Sequence, residues 1–207
     1  MQRQSYNWDM KYEDFLRLVS SHAQPVILLE GTRQLPASHR SDLVAFARQL
    51  AIAFPQARFR TGNASGSDEA FAAGIIEIDP PRLEYVLPHG TMRASSRDTR
   101  CASLSLHHVS ESTEELLAQE TVQATPNYKG LIADRKKHPK LRVKANYLLR
   151  DTLKITGYEA AFQPANIGVF YVNTQDATKG GTGHTIRVCL NRQVPVVTQD
   201  VWMPWIL

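Results

Sequence analysis

The stretch Gly168-Val-Phe-Tyr-Val-Asn-Thr-Gln-Asp-Ala-Thr-Lys-Gly-Gly-Thr-Gly-His-Thr-Ile-Arg187 decides the fold. It reads as a buried apolar strand, a short loop, and a glycine-rich turn that opens a helix. Such a turn leaves backbone N–H groups free at a helix amino terminus, where the dipole also favours negative charge. Gly180, Gly181 and Gly183 allow close approach by a ligand, and Thr182 and Thr185 add hydroxyl donors. A phosphate or a ribose hydroxyl fits that chemistry.

Two earlier segments repeat the design. Pro25-Val-Ile-Leu-Leu-Glu-Gly-Thr-Arg33 is an apolar strand running into Gly31, Thr32 and Arg33. Phe59-Arg-Thr-Gly-Asn-Ala-Ser-Gly-Ser-Asp-Glu-Ala-Phe71 is a strand running through Thr61, Gly62, Asn63, Ala64, Ser65, Gly66 and Ser67 into an Ala-rich helix. A lone glycine-rich loop is usually only a helix entry. Three of them, each after a Val/Ile/Phe-rich strand, point to one nucleotide-type pocket, because such loops gather at the carboxyl edge of a parallel sheet.

Composition sets the class. The chain has 207 residues, 43% hydrophobic and 21% charged, which suits one compact α/β domain and excludes a disordered chain. A net charge of +4 permits an anionic ligand without demanding nucleic acid. Cys101 and Cys189 make no disulfide framework, and no Cys/His spacing implies zinc, so neither metal nor cofactor is expected. No apolar run is long enough to span a membrane, and the amino terminus lacks the apolar core of a signal peptide. A cytoplasmic location follows as the expectation.

Periodicity supplies the remaining elements. Helices are expected over Asp9–Ser21, Ser38–Phe54, Ser67–Ile75 with Ser67 as N-cap, Ser112 to about Ala124 with Glu115 completing a capping box, Lys140–Thr156 and Thr182–Arg192. The helix over Lys140–Thr156 shows Val143, Tyr147, Leu148 and Ile155 as its apolar positions, and Gly157 ends it. Strands are expected over Val26–Glu30, Ala57–Thr61, Leu83–Leu87, Ile167–Val172 and Val194–Thr198, with Leu104–Val109 as a further short run. Thr91–Arg100 and Pro126–Pro139 read as polar loops, and residues 199–207 as an apolar tail docked on a single domain. Alternating strands and helices imply a Rossmann-like three-layer α/β/α fold with a mainly parallel sheet of about five or more strands.

These residues resemble the SLOG superfamily of Rossmann-like nucleotide-binding proteins, which includes DprA/Smf-type DNA-processing proteins and LOG-type phosphoribohydrolases. The resemblance runs from about Val26 to Thr198. In the DprA pattern, Gly62, Ala64, Gly66 and Asp68 match, Thr61 replaces a Ser, and Ser67 stands where Ile is usual. In the LOG pattern Pro-Gly-Gly-x-Gly-Thr-x-x-Glu, Gly180, Gly181 and Gly183 match, while Lys179 replaces the Pro, His184 the Thr and Arg187 the Glu. That glutamate is implicated in N-glycosidic cleavage, where a carboxylate stabilises positive charge building on the ribose. Arg187 opposes such charge and suits a phosphate instead.

The resemblance implies a nucleotide-type small molecule as partner and a possible homo-oligomer. Arg33 is placed to clamp a phosphate, His184 to donate to one or stack on a base, and Asp68 to accept from a ribose hydroxyl. Arg150, with Asp151, matches a basic helix position that LOG proteins use near their ligand. Glu69, or Asp68, is the candidate catalytic carboxylate if the chain is an N-glycosidase. The basic run Arg135, Lys136, Lys137, Lys140, Arg142, Lys144 leaves single-stranded DNA as a further, less favoured partner, since no aromatic residue interleaves it before Tyr147.

Overall fold

The computed structural model describes residues 10–173, 177 and 179–207; Asp9, the expected start of the first helix, lies outside them. Six strands form one all-parallel sheet: β1 (Val26–Gly31), β2 (Arg58–Thr61), β3 (Leu83–Leu87), β4 (Ala102–Ser105), β5 (Ile167–Tyr171) and β6 (Val196–Thr198). Their order is β4-β3-β2-β1-β5-β6. The chain moves outward from β1 in one direction, then returns to place β5 on its other side. The topological switch point, where open α/β sheets bind ligands, therefore lies between β1 and β5 at the carboxyl edge. There Gly31 pairs with Tyr171.

Alternation along β1 explains the two covering layers. Ile27 and Leu29 join Phe59, Leu83, Ile167 and Val169 on one face, beneath α1 (Tyr12–Ser20), α2 (Arg40–Ala53) and α3 (Ser67–Ile78). Val26 and Leu28 join Phe170 and Val196 on the other, beneath α7 (Gly180–Asn191), beside a cluster of Val86 with α4 (Glu111–Ala124), α5 (Lys129–Ala133) and α6 (Pro139–Thr156). Both faces of every central strand are thus buried, as a parallel sheet requires. The fold is a Rossmann-like three-layer α/β/α arrangement.

Several local expectations shift. Gly66, with φ 81°, is the N-cap of α3, so Ser67 is already helical and its hydroxyl donates to Thr32 O at 2.9 Å. Ser110, not Ser112, caps α4, accepting from Thr113 N–H at 3.1 Å from an extended backbone. The run Leu104–Val109 splits: β4 ends at Ser105, and Leu106–His108 form a single 3-10 turn. Within Pro126–Pro139, Pro126–Tyr128 and α5 are helical. On α6, Leu148 and Ile155 are buried as expected and Tyr147 is half-buried, but Val143 is 55% exposed while Lys154 is fully buried. The basic run is largely neutralised by α4 and Asp134. Arg135 pairs with Glu114 and Glu115, Lys136 with Glu111 and Glu115, Lys137 with Asp134, and Arg142 with Glu114.

A last short helix, α8 (Gln199–Trp202), carries the chain back to the α2–α3 layer. Trp202 stacks on Phe46 with ring centres 4.7 Å apart, meets Phe71 edge-on, and donates its indole N–H to Phe170 O at 2.9 Å. Trp202→Ala is expected to lower the unfolding free energy by about 3–5 kcal/mol, the range for emptying a buried aromatic site. Urea denaturation checks this; a loss within the ordinary surface-substitution range would show that α8 is not part of the core.

Candidate ligand-binding cleft at the switch point

The cleft is built on joined loops. Gly31 ends β1 so close to β5 and α3 that an added Cβ would meet Tyr171 O and lie 2.7 Å from Ser67 Cβ. Thr32 N–H then donates to Tyr171 O at 2.8 Å, and Ser67 N–H to Thr32 O at 3.1 Å. Asp68, in the first turn of α3, holds the loop ends of both β1 and β2. Its Oδ1 accepts from Gly31 N–H at 3.2 Å, and its Oδ2 from the N–H groups of Gly62 and Ala64 at 3.1 and 3.2 Å. The residue is 2% exposed, so its carboxylate is chiefly a backbone clamp at the cleft wall.

The floor is a buried charge cluster between the sheet and α6. Lys154 Nζ bonds Glu30 on β1 and lies 2.9 Å from Asp151 Oδ1. Arg150 Nε is also 2.9 Å from Asp151 Oδ1, and its Nη1 donates to Gly62 O and Val86 O. Thr185 Oγ1 donates to Glu30 Oε1 at 3.0 Å. Burial pushes the Glu30 carboxyl up to about 7; Lys154 moderates the rise, and Asp151 and Asp68 add to it. Asp151 stays below the usual carboxylate range because Lys154 and Arg150 outweigh its own burial. Of the two floor carboxyls, Glu30 is thus the one more readily protonated.

The rim is cationic. Arg33 stands exposed after β1, and Lys179 precedes α7. The first intrahelical donation of α7 runs from Gly183 N–H to Lys179 O at 3.2 Å, so the N–H groups of Gly180, Gly181 and Thr182 have no intrahelical acceptor. Thr182 donates its hydroxyl to Gly31 O at 3.1 Å, tying the third loop to the first. Together rim and floor enclose a cleft of about 430 Å³, which suits a small-molecule ligand.

The cleft gathers Gly31, Thr32, Arg33, Ala64, Asp68, Arg150, Gly180, Gly181 and Thr182 from the residues singled out in the sequence. Gly62, through its N–H and carbonyl, braces the wall from behind. Asn63, with φ 55°, donates its side-chain amide to Met92 O at 3.3 Å, and Ser65 lines a neighbouring hollow. Thr61, Gly66, Ser67 and Gly183 support the loops without lining the cleft. His184 and Arg187 point elsewhere. Three residues apart on α7, which starts at Gly180 rather than Thr182, these two share a helix face turned toward the end of α4. The His184 ring is fully buried between Thr125 Oγ1, 2.8 Å away, and Thr152 Oγ1, 3.2 Å away, and Arg187 Nε donates to Thr125 Oγ1 at 2.9 Å. Burial holds His184 down at about 4, a neutral imidazole at pH 7.

Glu69 is also outside the cleft. It pairs with Arg93 at 2.8 Å and Arg40 at 3.6 Å, and these hold it ionised below the usual range. The residues the sequence reading did not single out are Glu30 and Lys154. Their signal was present as an acid closing an apolar strand and an Asp-x-x-Lys pair (Asp151, Lys154) set among Leu149, Leu153 and Ile155.

Glu30 gives a pH signature. Its folded value near 7 lies above the ordinary 4.5, so the folded state holds the extra proton between them. Stability of the wild type relative to Glu30→Gln is therefore expected to be constant below pH 4.5, to fall as pH rises to about 7, and to stay level above it. His184 acts oppositely: its contribution is present above 6.5 and lost as pH falls toward about 4. Glu30→Gln should therefore make stability rise more steeply with pH across that window, as read by denaturant titrations. Parallel curves would show Glu30 ionised throughout by Lys154.

No protein-family model matches the chain, and no curated protein matches it. Among solved structures, one that is similar is DNA processing protein A from Helicobacter pylori, described for its single-stranded DNA binding mode. It is 13% identical, with a TM-score of 0.46, over 88% of this chain and 67% of that one.

Proposed function

We propose that the chain binds a nucleotide or nucleotide derivative in the switch-point cleft. The phosphate sits against the first turn of α7, between Lys179 and Arg33, and the ribose lies over the carboxylates of the floor. One observation carries this reading: a helix amino terminus and an exposed arginine at the rim stand over a floor holding Glu30 and Asp151, with Asp68 in the wall. Amide N–H groups and cations suit phosphate oxygens, and carboxylates accept from sugar hydroxyls. Nucleoside monophosphates at 100 times their dissociation constant should stabilise the fold by about 2.7 kcal/mol. Calorimetry should show Arg33→Ala weakening binding by roughly tenfold, with the loss confined to phosphorylated nucleosides. Equal affinity for nucleoside and nucleotide would refute the phosphate placement.

A second reading, hydrolysis of the N-glycosidic bond, is favoured by one further observation. Glu30 and Asp151 share the floor, one titrating near neutrality and the other held ionised. That division suits acid–base chemistry beside a cationic ribosyl transition state: the protonated carboxyl donates to the leaving base while the carboxylate stabilises the sugar. Arg187 occupies the position of the LOG glutamate but turns toward Thr125, so it neither supplies nor blocks that role. Chromatography should detect free base, with Asp151→Asn and Glu30→Gln each lowering its release by at least about 100-fold. Binding without release leaves the chain a binder.

A further inference from the structure

A second hollow of about 300 Å³ adjoins the cleft and shares Arg33, Ala64 and Tyr147 with it. Its character differs. The first is lined by three carboxylates, whereas no carboxylate lines the second. Arg33 is shared by both, and Arg93, His89, Thr91 and Ser65 line the second alone.

Arg93 is held there against its backbone preference. Its φ of 43° and ψ of 45° are left-handed, a conformation that costs a non-glycine residue energy and survives only where surrounding bonds enforce it. Arg93 Nη1 donates to Asn63 O at 3.2 Å and Nη2 to Glu69 Oε2 at 2.8 Å. Asn63 is itself left-handed, with φ 55°. Glu69 pairs with both Arg93 and Arg40, so the three together keep a net positive charge. His89 Nδ1 lies 3.0 Å from Thr91 Oγ1, which leaves Nε2 for a ligand.

On the nucleotide reading above, we infer that this hollow is a second anion subsite, and that the ligand carries two separated phosphate groups. One phosphate lies at α7 and the other among Arg33, Arg93 and His89, with the intervening sugar passing Tyr147. A nucleoside 3′,5′-bisphosphate and a 5′-phosphorylated dinucleotide both supply that chemistry. A mononucleotide fills only the first cleft.

Calorimetry on the full chain compares a nucleoside 5′-monophosphate, its 3′,5′-bisphosphate and a 5′-phosphorylated dinucleotide. Both two-phosphate ligands are expected to bind at least about tenfold tighter than the monophosphate. A gain with the bisphosphate alone assigns the hollow to a terminal phosphate, and a gain with the dinucleotide alone assigns it to a bridging phosphodiester. Arg93→Gln should erase the gain while monophosphate affinity stays within about twofold. His89→Ala does the same from a site without backbone strain, which covers the case in which Arg93→Gln fails to fold. Equal affinity for all three ligands overturns the second subsite and leaves nucleotide binding intact. Equal weakening of every ligand by both variants overturns it too, making Arg93 and His89 loop supports. Failure of the monophosphate and both larger ligands to bind overturns the nucleotide reading itself.

Discussion

The structure depends on burying a set of charges between α6 and the sheet and satisfying them there. Glu30 on β1, Arg60 on β2 and Glu84 on β3 lie on the covered strands, with Arg60 Nε donating to Glu84 Oε2 at 2.9 Å. From above, α6 lowers Lys154 to Glu30 and offers its carbonyl to Arg60 Nη1 at 2.9 Å. Phe162 closes over the Arg60 guanidinium at 3.6 Å. Buried charges of this kind contribute little net stability over apolar packing, but removing one partner strands the other at a large cost. They fix the height and rotation of α6 over β1, and hence where Arg150 and Asp151 stand in the cleft.

The loops are held by a different device. Asp68 is one carboxylate serving three backbone donors from the ends of two strands, and Thr182 adds the third loop through Gly31 O. The wall is set by hydrogen bonds to backbone, and the floor by ion pairs among side chains. The wall thereby sets where the loop ends stand. In the floor, burial raises Glu30 while Lys154 counters the rise, so charge there is set by the pairing.

The strand–loop–helix junctions were legible because each rests on local signals: an apolar run, then Gly, Ser or Thr, then a helix. The floor was not. Glu30 reads as the polar end of a strand and Lys154 as an exposed helix residue, and only pairing between them makes burial tolerable. Such pairing joins residues 124 positions apart and leaves no periodic trace. His184 misled because its face of α7 packs against Thr125 and Thr152, a tertiary contact the glycine-rich turn does not announce. Val143 misled because α4, α7 and the sheet enclose the far end of α6, so its apolar stripe is no guide to its near end.

The separation between Glu30 and Lys154 also governs when the pocket comes into being. During synthesis the first four strands and Asp68 emerge before α6 and Lys154. At that stage Glu30 has no Lys154 to meet. Closing so long a loop carries an entropic penalty that contacts must first offset. The base of the cleft is therefore completed only when the last third of the chain packs onto the sheet.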